Sequence, residues 1–308
     1  MSRTDLRVSV VIASVRRAEE IGQLLQALAR QTQKPEMVVL SVAEKSDLPP
    51  DLPAGVTVVT GSPGLPAQRN RGLDIAQAHC DVIVFYDDDF IPAKDSLERI
   101  SEFFAAHPHL AGATGRLLAD GINGPGLSYE DSLRIVAAYE VSSRPALVNE
   151  DFLCAYGCNM AFRCTAIDAR RFDEKLPRYG WQEDMDFAGQ LAAVGKIIRT
   201  NAFAGVHRGV KNGRGQGIDL GFSQIVNPIY LVRKGTIKKG KALTLISRNL
   251  VANHIKSLWP EPYVDRMGRL RGNWSGILHI LCGKLDPMDL PSSCKRDLSG
   301  AGARPFAP

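Results

Sequence analysis

Apolar residues in the N-terminal part of the chain fall into short β-branched runs separated by stretches of helical spacing. Val8-Ser9-Val10-Val11-Ile12 is such a run and predicts a buried strand. Ile21, Leu24, Leu25 and Leu28 then recur at helical spacing and predict a helix over Glu19 to Thr32. Strands follow at Glu36 to Val42 and, after a Pro-rich loop, at Val56 to Thr60. Pro66 to Ala78 predicts a helix with proline in its first turn. Asp81 to Tyr86 is a fourth strand, nearly all apolar, and Ser96 to Ala106 a further helix with Leu97, Ile100 and Phe104 on one face.

Strands joined by helical crossovers predict an α/β fold with a mostly parallel central sheet. Ligands of such sheets bind at the carboxyl ends of the strands. The loops after Ile12, Val42, Thr60 and Tyr86 are therefore the places to look for chemistry. From residue 110 the pattern loosens. Glycine clusters suggest turns around short strands, and Ile197 to Thr200 is one more strand. Lys211 to Gly217, with three glycines in seven residues, predicts a mobile basic loop. Ile225 to Arg233 and Leu243 to Leu258 predict helices.

The 308 residues allow about two domains. Hydrophobic residues at 44% and charged residues at 23% exclude a mostly disordered chain, a collagen or a coiled-coil rod. No apolar stretch is long enough to span a membrane, and no apolar leader precedes the first strand, which predicts a cytosolic chain. Cys154, Cys158 and Cys164 cluster without a fourth ligand at zinc spacing, so the six cysteines read as reduced thiols.

Charge divides the chain. Residues 1–208 carry 22 Lys and Arg against 27 Asp and Glu, whereas residues 209–308 carry 16 against 6. A basic tail on an acidic body points to an anionic partner, or to no more than a solvated surface. No nucleic-acid motif accompanies the basic residues, so nucleic acid is not the expected partner.

Four groups of residues carry the chemistry. Asp87-Asp88-Asp89 stands directly after the apolar strand. Three adjacent carboxylates need water or a cation, and hard cations such as Mg2+ or Mn2+ commonly join carboxylates to phosphates. Trp181-Gln182-Glu183-Asp184-Met185-Asp186 puts three carboxylates at a helix start. They either favour the helix dipole or include a general base, with Trp181 as a stacking wall. His207 precedes the basic loop, where it would make a third metal ligand, and Lys211 and Arg214 in that loop would close over a diphosphate. Gly64 to Gly72 contains Gln68, Arg69 and Asn70 at a helix start, which suits either nucleotide binding or capping.

In this order the features resemble the family 2 glycosyltransferases of the GT-A fold, over roughly residues 6–210. VSVVIASVRRAEEIGQLLQALARQT is similar to the family's first nucleotide-binding strand and helix. AQRNRGLDIA with the strand ending in Asp87-Asp88-Asp89 resembles its Asn-Gly and D-x-D region. Gly157 to Arg163 resembles a G-x-N-M-A-x-R segment, and Trp181 to Asp184 a W-x-E-D motif.

The resemblance implies a Rossmann-like GT-A catalytic domain over 1–210, with separate nucleotide-sugar and acceptor halves. A basic loop and mainly helical extension over 211–308 would follow. It implies a nucleotide-diphosphate sugar donor, a divalent metal (Mn2+ or Mg2+) and a saccharide or lipid-linked saccharide acceptor. Asp87, Asp89 and His207 would hold the metal, and Asp184 would be the base, with Glu183 beside it. Ala13, Ser14, Arg16, Glu44, Gln68, Arg69, Asn70, Asp87, Asp88, Lys211 and Arg214 would meet the donor, and Asn159 and Trp181 the acceptor. The expected reaction is inverting transfer to a hydroxyl in polysaccharide or glycolipid synthesis. A metal-dependent nucleotidyltransferase or hydrolase, or a nucleotide-sugar-binding module without turnover, are the alternatives.

The chain departs from the family where Ser41 to Asp47 replaces the usual acidic cluster, where Ala13-Ser14-Val15 replaces Pro-Thr-Tyr, and at Gln190, where Arg is common. The tail segment Arg269 to Leu281 joins basic residues to Trp, Ile and Leu and is similar to extensions in bacterial polysaccharide-type members. It suits either an anionic membrane surface, on the inner face of the membrane, or packing on the catalytic domain.

Overall fold

The structure, a computed structural model, describes residues 6–139, 147–149, 155–176, 178–212 and 217–291. The chain divides into two compact units, one of residues 1–174 and 182–214, the other of 175–181 and 215–308.

The first unit opens with β1 (Val8–Ser14), α1 (Ala18–Ala29), β2 (Val38–Val42), β3 (Val56–Thr60) and α2 (Leu65–Ala76). It continues through β4 (Val82–Asp87), β5 (Phe90–Pro92), α3 (Ser96–Ala106), β6 (Leu110–Asp120) and α4 (Tyr129–Ala137). β7 (Leu147–Asn149), β8 (Asn159–Arg163), the single turn α5 (Cys164–Ile167), α6 (Glu183–Leu191) and β9 (Lys196–His207) complete it. One sheet has the order β3-β2-β1-β4-β8-β6-β9-β5, with β7 also paired to β9. β1 to β4 run parallel, β8 runs antiparallel between β4 and β6, and β6 and β9 are again parallel.

Apolar layers cover both faces of this sheet, which is why its strands read as nearly continuous apolar runs. Val8, Val10 and Ile12 of β1 pack with Ile21 and Leu24 of α1 and Leu97 and Phe104 of α3. Val11, on the other face, packs with Leu73 of α2 and, through the same layer, with Phe187 and Leu191 of α6.

Two features position the site. The chain steps outward from β1 to β2 and β3, then returns to place β4 on the other side of β1. That reversal opens a crevice at the carboxyl ends of β1 and β4, where Ala13 lies opposite Asp87. The second feature is β9. The sequence predicts only four residues of it, but it runs for twelve, to His207. Its register against β6 shifts between Leu110/Gly112, Thr114/Arg116 and Leu117/Ala119. Such bulges bend a strand and break the alternation by which it is recognised. β9 also carries β5, and a Cβ on Gly205 would lie 2.3 Å from the Phe90 ring, so only glycine permits this approach.

The second unit holds α7 (Gly217–Lys234), α8 (Lys239–Lys256) and α9 (Arg266–Leu281). α7 extends the helix expected at Ile225 to Arg233 at both ends, and α8 starts four residues before and ends two residues before the one expected at Leu243 to Leu258. α9 follows an N-cap in which Asp265 accepts from the Gly268 amide.

Candidate active site

Asp87 ends β4, Asp88 and Asp89 form the turn to β5, and each has a different surrounding. Asp87 is the most open, with 30% of its side chain exposed, and accepts from Arg69 Nη2 at 2.8 Å. Asp88 is buried, accepting from Ser14 Oγ at 2.5 Å and Arg17 Nη1 at 2.7 Å. Burial pushes its carboxyl up, to about 7, against the pull of Arg17. Asp89 accepts from the Val210 amide at 2.7 Å and faces His207 Nε2 at 3.4 Å. Burial works against its charge, but His207 and Arg17 outweigh it and hold Asp89 down to about 2.

His207, at the end of β9, turns Nε2 toward Asp89 and, at 4.0 Å, toward Asp87. Its Nδ1 bonds Asp120 at 2.8 Å, and Tyr156 donates to the other Asp120 oxygen at 2.9 Å. Burial would lower the imidazole, but Asp120 and Asp89 raise it to about 10. Asp87, Asp89 and His207 each offer a ligand atom, and these atoms lie within 4.8 Å of one another. Two carboxylates and an imidazole held by a carboxylate behind it form a fitting donor set for a divalent cation.

Glu183 and Asp184 open α6. Arg69, only 2% exposed, links both sides of the crevice. It donates to Glu183 through Nη1 and to Asp87 and the Gly157 carbonyl, at 2.8 and 2.9 Å, through Nη2. Its guanidinium also stands over the rings of Phe85 and Phe172. Burial raises Glu183 to about 8 even though Arg69 opposes it, and Asp87 shares the same guanidinium. Asp184 accepts from the Gly157 amide at 3.0 Å and the Met185 amide at 2.7 Å. Burial raises it too, against Arg69 and these amides.

The remaining expected residues divide clearly. Ser14 reaches Asp88, and Arg16 and Glu44 line a 500 Å3 cleft at the ends of β1, β2 and β3, with Ser46, Asp47 and Gly61. Asp47 accepts from the amides of Arg16, Ala43 and Glu44, so its carboxylate shapes this cleft. Gln68 donates to the Ser14 and Ser41 carbonyls and ties β1 to β2. Asn70 instead bonds Phe172 and Glu174, anchoring α2 away from the aspartates. Asn159 is buried at the start of β8 with neither side-chain amide atom partnered. Trp181 belongs to the second unit, where its carbonyl accepts from Asn227. Lys211 donates to the Gly121 and Ile122 carbonyls, and Arg214 lies outside the described residues.

Sequence reading missed Arg17 and Asp120. Arg17 donates to Asp88 and to the carbonyls of Val210 and Asn212, and so fastens the segment after His207 to the aspartate turn. Its neighbour Arg16 and its place after the first strand were the available signal. Asp120 ends a bulged strand and carries no signal of its own.

The sequence profile of glycosyl transferase family 2 matches residues 9–170. An uncharacterised glycosyltransferase, YwdF of Bacillus subtilis (strain 168), is 31% identical over 93 residues, 28% of this chain and 35% of that one. The match thus spans about a third of this curated relative's length. Among solved structures, S. aureus TarS 1-349 superposes with a TM-score of 0.54 at 14% identity, covering 89% of this chain and 80% of that chain. The same TarS fragment in complex with UDP-GlcNAc gives 0.52 at 14% identity, over 90% and 92%. The mannosyltransferase PcManGT from Pyrobaculum calidifontis, in complex with GDP-Man and Mn2+, gives 0.50 at 14% identity, over 96% and 79%. Those likenesses show a shared GT-A fold, and the profile covers more than half of the residues: the chain belongs to glycosyl transferase family 2.

Proposed function

We propose that this protein transfers a sugar from a nucleoside-diphosphate donor to a hydroxyl acceptor, with inversion at the anomeric carbon and a divalent cation. The observation that carries this reading is the convergence of Asp87, Asp89 and His207 at the crevice that also receives Glu183 and Asp184. Those three side chains would hold the cation. When bound, it would offset the charge that develops on the departing diphosphate.

The protein's own groups do the rest. The cleft beside Arg16 and Glu44 would take the nucleoside, and Lys211 and Arg214 the phosphates. Asp184 would receive the acceptor proton. Its carboxylate is held in place by two backbone amides, and its burial makes it a stronger base. A single displacement opposite the leaving group needs this base and no protein nucleophile. The donors bound by TarS and PcManGT, UDP-GlcNAc and GDP-Man, support the donor class. A saccharide or lipid-linked saccharide acceptor in polysaccharide or glycolipid synthesis, on the cytoplasmic side of a membrane, completes the proposal.

Asp184→Asn tests the base. It should keep nucleotide binding and lower turnover by about a hundredfold or more. Near-normal transfer by that variant would remove Asp184 from the role.

A further inference from the structure

α9 is built inside out. Its buried residues are Gly268, Gly272, Asn273 and Gly276. A Cβ on Gly272 would lie 2.1 Å from the Ile218 carbonyl oxygen, so the backbones of α9 and α7 touch. Asn253 of α8 donates to Gln224 of α7 and to Asn273 of α9, both at 2.8 Å. Small residues and amides therefore bring the three helices together, beside a small apolar cluster of Phe222, Val226 and Leu290. Trp274, Leu278 and Leu281 of α9 are exposed, while Ile280 packs against the Phe222, Val226 and Leu290 cluster.

Val251 and Ile255 on α8, Trp259 just after it, and Trp274, Leu278 and Leu281 on α9 are each 52% to 78% exposed. Spacings of four and seven residues put those of α9 on one stripe. His254 meets the Trp274 ring edge to face, with centroids 5.8 Å apart, which joins the α8 stripe to it. A continuous exposed apolar patch of this kind marks an interaction surface.

Charge identifies the partner. Residues 239–284 hold eight Lys and Arg against two Asp and Glu. Of the two acids, Glu261 is engaged by Lys256 and Arg266, and Asp265 caps α9. Arg248 and Arg271 stand exposed within one turn of the apolar stripes. A second copy docked face to face would bring these cations together. An anionic lipid surface would neutralise them while taking up the Trp and Leu side chains. No helix among the described residues is long and apolar enough to cross a membrane. We propose that the α8–α9 face docks this protein on an anionic membrane, with both helices lying in its plane. This deepens the membrane-side part of the proposed function but stands independently of the donor site.

The full chain is mixed with vesicles of phosphatidylcholine alone, or of phosphatidylcholine with phosphatidylglycerol, then sedimented while tryptophan emission is recorded. Partition to the anionic vesicles alone, with a blue shift that salt reverses, is expected. Trp274→Ser with Leu278→Ser should lower it by about tenfold or more, and Arg248→Glu with Arg271→Glu should do the same. Circular dichroism checks that these surface variants remain folded. Partition that neither variant weakens, or that is absent from both vesicles, overturns the proposal. So does a dimer that Leu278→Ser dissociates without any vesicle binding, which would make a second copy the partner. Nucleotide-induced stabilisation is measured on the same samples. Its loss with vesicle binding intact would count against the donor site and not against the docking face.

Discussion

Arg69 is the residue on which the crevice depends. It is buried, and Glu183, Asp87 and the Gly157 carbonyl share its donors. Removing one member of a buried ionic group leaves the others uncompensated, so Arg69→Met should cost about 3–5 kcal/mol in urea unfolding. A loss within experimental error would show that the cluster is hydrated and weak. Glu183 gives this cluster a pH dependence. Its folded value of about 8 lies above its ordinary 4.5, so the folded state binds the proton more tightly. The corresponding stability is fully present below pH 4.5 and is lost as pH rises through about 8. Glu183→Gln cannot titrate, so its stability should fall less than the wild type's between those two pH values. Parallel stability curves for the two proteins would contradict the raised value.

At the scale of elements, β5, β6 and β9 matter most, because together they deliver Asp89, Asp120 and His207. Gly205 is the contact that lets β5 lie against β9. Gly205→Ala should destabilise the protein by about 1–3 kcal/mol, because Phe90 must move. It should also weaken cation binding by displacing Asp89, read as reduced Mn2+ affinity by calorimetry. Unchanged Mn2+ affinity would mean that the aspartate turn is set independently of β9.

Much of this was legible in the sequence where periodicity is intact. β1, β2, β3, β4 and their helices announce themselves by apolar runs and helical spacing, and with them the turn at Asp87 to Asp89. β9 did not, because its bulged pairing with β6 hides a twelve-residue strand behind an irregular pattern. The roles of Asp120 and Arg17 were hidden for a different reason: each works through a partner distant in the chain, His207 and Asp88. α9 lies in the extension expected to be mainly helical, but its own bounds could not be read from periodicity, since it buries glycine and exposes Trp274, Leu278 and Leu281.

In the whole molecule, chemistry and surface character separate by unit. The first carries the crevice, its candidate cation site and the acidic pair at α6, while the second carries the basic, apolar helical face. Ligand-induced stabilisation reads the donor and cation site of the first unit. Thermal unfolding is followed with UDP, GDP, dTDP or CMP, each with Mn2+, Mg2+ or EDTA, for the wild type and Asp89→Asn. A nucleotide at about a hundred times its Kd should add about 2.7 kcal/mol, or several degrees of Tm. A shift for one nucleoside-diphosphate class that EDTA abolishes and Asp89→Asn lacks is expected. A shift of the same size with EDTA and in Asp89→Asn would contradict the assignment of Asp87, Asp89 and His207 to a cation that holds the donor.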